Sequence, residues 1–149
     1  MRSPVDRLLA GGQSIDSEAK HTVGEYLSHL EQRMSENKDT VDKYMDGFRR
    51  SDHGQILSCL TDDVEWEIPG AFQVRGKEAF DNEIENEAFV GRPDITVTRL
   101  TEENDIVVAE GSVRAQKKDG QPLKLRFCDV FVMQAGKIQR LISYLMEVK

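Results

Sequence analysis

The run from Leu123 to Met133 constrains this chain more than any other segment. Its apolar residues alternate with period two, as in a half-buried β-strand. One face carries Leu123, Leu125, Phe127, Asp129, Phe131 and Met133; the other carries Lys124, Arg126, Cys128, Val130 and Val132. Asp129 therefore stands in the middle of an apolar face. A carboxylate there loses hydration, which disfavours its charged form and raises its pKa. Acidic side chains are seldom buried without a partner, and perturbed ones cluster at functional sites. The strand points to a pocket, with Asp129 as its acid or hydrogen-bond donor. The competing reading is a structural carboxylate bonded to Tyr44 or to a backbone N–H.

Size and charge narrow the classes of partner. The 149 residues suffice for one domain with one core. The net charge of −7 argues against nucleic acid and anionic membrane, which both require a basic surface. No apolar run approaches the roughly 20 residues that span a bilayer. Leu8-Leu9-Ala10 is too short for the core of a signal peptide. Cys59 and Cys128 are far apart and form no CxxC pair, which fits free thiols in a reducing cytoplasm. No His, Cys and carboxylate set has metal-ligand spacing, and there is no phosphate loop. Neither a metal nor a cofactor is expected.

Residues 1–16 mix Pro4, Gly11, Gly12 and Ser14 with few large apolar groups and read as a flexible tail. From Ser17, the predicted N-cap, an apolar stripe of Val23, Leu27, Leu30 and Met34, with Tyr26 beside it, predicts a helix interrupted only by the weak former Gly24. That helix is either a partner-binding or dimer-clasping element or an appendage on the domain surface. Met34 also reads as a natural start. Residues 1–38 are thus expected to be a tail plus accessory helix, and 39–149 the domain.

Within the domain, Asp39 or Thr40 is the expected cap of a helix through Arg50, with Val41, Tyr44, Met45 and Phe48 on one side. Ser51-Asp52-His53-Gly54 breaks it, and a short helix from Gln55 to Leu60 follows. Val64 to Ile68 alternates as a strand, with Val64, Trp66 and Ile68 inward, and stops at Pro69-Gly70. Gly76 to Ala88 reads as a helix. Four strands follow, Asp94–Leu100, Asp105–Gln116, Pro122–Gln134 and Lys137–Val148. Helices followed by an antiparallel meander define an α+β fold.

The order and residues resemble the nuclear transport factor 2-like superfamily, in its SnoaL-like and ketosteroid isomerase-like branch. The likeness runs from Val41 to Lys149. It is carried by Tyr44 and Phe48, Asp52, Leu60-Thr61-Asp62-Asp63-Val64-Glu65-Trp66, Gly76-Lys77-Glu78-Ala79-Phe80, and Phe131 with Gly136-Lys137-Ile138 and Tyr144. The resemblance implies a cone, a curved antiparallel sheet wrapped around N-terminal helices, with a deep apolar pocket. It also implies a homodimer paired through the outer sheet face.

The superfamily hosts many activities, so the site residues must discriminate among them. Tyr44 matches the oxyanion-hole tyrosine of the ketosteroid isomerases, and Asp129 their protonated acid, which stays neutral to donate a hydrogen bond. The base of that family matches Ile68, which cannot take a proton. Glu65 or Glu67 would replace it only with the strand parity reversed. The limonene epoxide hydrolases need an Arg-x-Asp on the third strand and an Asp on the last; Gly111, Ser112, Val113 and Ser143 stand there instead. The pocket histidines of scytalone dehydratase have no counterpart in His21, His29 or His53. SnoaL-type cyclases use one acidic residue in an apolar cavity, a role open to Asp129.

The expected catalytic residues are Asp129 and Tyr44, and the expected ligand walls are Trp66, Phe48, Ile68, Phe127, Phe131 and Leu145. Glu110, Arg126 and Tyr144 are expected to face outward. Reversed parity would instead make Glu110 a second pocket carboxyl. His53 reads as a solvated turn residue. The chain is read as a small-molecule-binding protein, either a cofactor-free isomerase- or cyclase-type enzyme acting on an apolar carbonyl compound or a non-catalytic ligand-binding or dimerisation module.

Overall fold

The computed structural model describes residues 17–85 and 89–149. The predicted tail, and the end of the helix expected to reach Ala88, lie outside the described residues. Two units divide between Gln32 and Arg33. In the first, Val23, Tyr26 and Leu27 are exposed on the helix. The second carries the remainder of the fold.

Helix α1 spans Ser17–Arg50, so the two helices expected on either side of Met34 are one. Asp39 and Thr40 are not caps. The Thr40 hydroxyl instead donates to the Gly136 carbonyl at 2.7 Å. Cap-forming residues are also ready partners for distant backbone, and sequence does not separate the two uses. α1 ends where Ser51 turns left-handed at φ 52°. Asp52 N–H then bonds Gly47 O at 2.8 Å and Ser51 N–H bonds Phe48 O at 3.2 Å, a Schellman closure. Arg49 and Arg50 in the last turn complement the helix dipole. Asp52 caps the short helix α2, His53–Ser58, by accepting from Gln55 N–H at 3.0 Å.

Strand β1 covers Leu60–Ile68. β1 stops at Pro69-Gly70, as in the sequence reading, but the chain pairs again directly beyond it. Gly70 at φ 82° and an Ala71 N–H to Ile68 carbonyl bond of 2.9 Å form a turn, and the chain returns as β2, Phe72–Arg75. Four residues carry too little alternation to announce a strand. Helix α3, Lys77–Ile84, buries Phe80 and Ile84. Then come β3 (Phe89–Glu103), β4 (Ile106–Lys117), β5 (Pro122–Gln134) and β6 (Lys137–Glu147).

The sheet order is β2-β1-β6-β5-β4-β3. β3 to β6 form the expected antiparallel meander, but β1 joins β6 in parallel. The six strands make a curved, unclosed sheet, the α+β cone expected from the sequence. The turns Asn104-Asp105 and Ala135-Gly136 have positive φ at both residues, the I′ geometry that matches the twist of two-residue hairpins.

The α1 stripe of Val41, Tyr44 and Met45 is buried with Phe131, Ile138 and Leu141 from β5 and β6. Polar anchors fix the helix along the sheet. Buried Asn37 donates to Glu102 Oε1 at 2.8 Å and to Asp105 Oδ1 at 3.1 Å, beside the β3–β4 turn. Arg49 Nε reaches the Ile95 carbonyl at 2.8 Å. Loss of Asn37 would leave Glu102 with both oxygens unpaired, since its Oε2 already lacks a partner among the described residues. Asn37→Ala is therefore expected to cost about 2 kcal/mol in urea unfolding, more than Thr40→Ala, whose hydroxyl serves one carbonyl.

Candidate active site

Asp129 lies on β5 between Ala109 of β4 and Ser143 of β6. Strand alternation turns all three inward, and Asp129 is only 9% exposed. Its Oδ1 is buried with no hydrogen-bond partner. Burial pushes the Asp129 carboxyl up to about 7, and a hydrogen bond from Ser143 opposes the shift. Ser143 is itself engaged by Trp66, whose indole N–H donates to Ser143 Oγ at 3.1 Å. These side chains form a polar line from β1 through β6 to β5.

Tyr44 approaches from α1. Its ring packs edge-on against Phe131, with centroids 5.3 Å apart, and lies tilted on Phe48 at 5.0 Å. Burial first, and then the nearby Asp129 charge, hold the Tyr44 hydroxyl well above the ordinary tyrosine range. Among the described residues no hydrogen bond joins it to Asp129. Both side chains instead line one cavity of about 110 Å³. Phe48, Trp66, Ile68, Phe127 and Leu145 share that cavity with them, Leu145 being the most exposed. Trp66 is backed by Phe80, stacked at 4.5 Å, and by the edge of Phe72 at 5.1 Å.

One expected wall residue does not reach the cavity. Phe131 is fully buried and packs behind Tyr44. Met45, Ile95, Val113 and Ser143 line it and were not singled out as site residues. The inward parity of Val113 and Ser143 was legible. Their meeting with Asp129 depends on strand register, and that of Ile95 on β3 register shifts on either side of it.

Glu110 does not join the site. It forms an ion pair with Arg99, which also holds its carboxyl below the usual range. The reversed parity is therefore overturned, because Val107, Ala109 and Gly111 take the inward places. Gly111 also lies under the Phe127 ring. A Cβ there would collide with Thr96 O and sit 2.7 Å from Phe127 Cζ, leaving no room for an arginine. Arg126, Cys128, Tyr144 and Met146 line a groove of about 590 Å³ with Arg99 and Glu110. Tyr144 is 51% exposed and Met146 70%.

His53 is more engaged than a solvated turn residue. Its Nδ1 lies 2.6 Å from Asp81 Oδ1 and its Nε2 3.1 Å from Glu85 Oε1, tying α2 to α3 away from the cavity lining. Hydrogen bonds to Asp81 and then Glu85 raise its pKa. Among the described residues, no group of three His, Cys, Asp or Glu side chains is placed to hold a metal ion. No helix among them is long and apolar enough to cross a membrane.

Residues 41–141 match the SnoaL-like domain, and the chain belongs to that family. No curated protein matches it. Solved structures share the fold. An NTF2-like protein of unknown function from Burkholderia pseudomallei is 21% identical with a TM-score of 0.71, over 76% of this chain and 92% of that one. An LEH-like epoxide hydrolase from M. tuberculosis is 17% identical at 0.67, over 76% and 84%. A proposed polyketide cyclase from Xanthomonas campestris pv. campestris is 25% identical at 0.65, over 75% and 91%.

The raised Asp129 pKa has a consequence for stability. A carboxyl whose folded pKa exceeds its unfolded value binds its proton more tightly when folded. Stability is then greatest below the unfolded value of 3.8 and falls as pH rises toward the folded value of about 7. Asp129→Asn removes this slope. Between about pH 4 and pH 8 the variant should gain stability relative to wild type by up to about 4 kcal/mol, measured by chemical unfolding at each pH.

Proposed function

We infer that this protein binds a small, mostly apolar molecule with a carbonyl or hydroxyl group, and acts on it as a cofactor-free isomerase- or cyclase-type enzyme. The observation that carries this reading is an apolar cavity lined by both Asp129 and Tyr44, with the Asp129 carboxyl short of a partner at its buried Oδ1. Buried polar atoms in native proteins rarely lack a partner, and a ligand atom supplies one. A neutral Asp129 and the Tyr44 hydroxyl are two donors for one ligand oxygen. Charge that develops there as an enolate forms would be stabilised by donors already in place. A carboxyl that titrates near 7 can also take a proton from one carbon and return it to another.

A second reading, a non-catalytic ligand-binding or dimerisation module, is favoured by Ile68. It stands in the cavity wall at the family position of the base, and Asp129 and Tyr44 are the only titrating groups among the described lining residues. Titration with 4-nitrophenol tests the shared premise. Saturable binding is expected for wild type, weakened about ten-fold or more in Tyr44→Phe and in Asp129→Leu, with both variants folded by circular dichroism. Wild type that binds no phenol would leave Asp129 a structural residue and favour the module.

Pairing of two copies through the outer sheet face belongs to the same proposal. Tyr144 and Met146 leave apolar surface exposed along β6. Light scattering should give twice the chain mass of 16.9 kDa for wild type. The double variant Tyr144→Glu, Met146→Glu should give one chain mass, and a wild-type monomer would remove the dimer from the proposal.

A further inference from the structure

We propose that the apolar stripe near the start of α1 is the arm that joins two copies of this chain. Val23, Tyr26, Leu27 and Leu30 of each copy lie in the groove on the outer sheet face of the other, with Glu31 against Arg126 of the partner subunit. The inference rests on the outer-face pairing proposed above and names the element that fills the groove.

Most of the large apolar side chains left exposed fall into two groups. Val23, Tyr26 and Leu27 stand on α1 at 59%, 63% and 53% exposure, and Tyr144, Leu145 and Met146 stand together on β6. Scattered exposed apolar residues are ordinary, whereas contiguous ones mark an interaction surface. Both groups are open to solvent in the single chain.

The helix has the pattern of a groove ligand. Positions 23, 26, 27 and 30 follow the i, i+3, i+4, i+7 spacing with which an amphipathic helix lies in an apolar groove. Helical segments owe most of their stability to the packing of such a face, and residues 22–29 are all exposed.

The groove, of about 590 Å³, offers complementary chemistry. β6 gives it Tyr144, Leu145 and Met146, while β3, β4 and β5 give it Arg99, Glu110 and Arg126. Glu110 neutralises Arg99 through their ion pair, whereas Arg126 is exposed and has no ion pair among the described residues. The groove thus keeps an uncompensated positive charge in a chain of net charge −7. The arm supplies the counter-charge. From residue 22 to 32 it contains Glu25 and Glu31 and no lysine or arginine. Glu31 lies four residues past Leu27 and so flanks the stripe, as Arg126 flanks its cross-strand partner Met146.

A chain that carries both an arm and its groove closes into a pair by two-fold exchange, each copy giving one arm and receiving one. The contact is made twice, which brings the buried area toward the roughly 1,200 Å² of stable interfaces.

Mixing variants of the full chain tests the exchange. Leu27→Glu disables the arm, and Tyr144→Glu with Met146→Glu disables the groove. All three positions are exposed, and circular dichroism checks that each variant folds. In sedimentation equilibrium each variant alone should be monomeric. An equimolar mixture should pair about ten-fold or more tightly than either component, because one intact arm still meets one intact groove. Glu31→Arg and Arg126→Glu should each weaken pairing about ten-fold, since each acts at both contacts, and the two combined in one chain should restore it to within about three-fold.

A Leu27→Glu protein that pairs like wild type, while the groove variant does not, would overturn the arm and leave outer-face pairing in place. A groove variant that still pairs, while Leu27→Glu does not, would mean helix-to-helix pairing and overturn both. A mixture no tighter than its components would overturn the exchange, and charge reversals without effect would remove the Glu31 contact. A monomeric wild type would overturn the inference together with the pairing on which it rests.

Discussion

The packing of the α1 stripe against β5 and β6 is the constraint on which the site depends. Val41, Tyr44 and Met45 exclude water from the inner sheet face, and Phe131, Ile138 and Leu141 answer them from below. Burial of such side chains contributes roughly 1.5–3 kcal/mol each. Asp129 stands in that same dry layer, so the contact that stabilises the domain also strips its carboxyl of hydration. The raised pKa of Asp129 is a by-product of core formation, at a residue that also borders the cavity.

The site is therefore a region where the core is left incomplete. Phe131 closes the layer behind Tyr44, whereas Phe48, Trp66 and Phe127 border the cavity with the carboxyl, Phe48 meeting Trp66 edge-on at 6.1 Å. A larger residue in place of Ser143 or Gly111 would fill or distort this space. Ser143 adds a small hydroxyl that satisfies the Trp66 indole and stands opposite Asp129 across the strands. The lining is held by elements distant in sequence, namely α1, β1, β3, β4, β5 and β6. The cavity consequently depends on the register of the whole sheet.

Polar contacts set that register where apolar packing alone would allow α1 to slide. Asn37, Thr40 and Arg49 bond to the β3–β4 turn region, the β5–β6 turn and β3. Their spacing along α1 places Tyr44 between two anchors, opposite Phe131. Hydrogen bonds of this kind are modest individually, about 1 kcal/mol each, but they are directional, which hydrophobic contacts are not.

The sequence by itself determined the element types, the α+β class, the inward faces of β4, β5 and β6, and the isolation of Asp129 in an apolar row. These are local properties, because alternation and helical periodicity are written in adjacent residues. It did not determine that α1 is continuous, that Pro69-Gly70 turns the chain into β2, or that Thr40 bonds a turn rather than a helix end. Nor did it place Phe131 behind Tyr44 or set Ser143 against Asp129. Those facts depend on pairing between residues far apart in the chain. Only the register of the assembled sheet decides which of several equally apolar side chains fills the core and which borders a space.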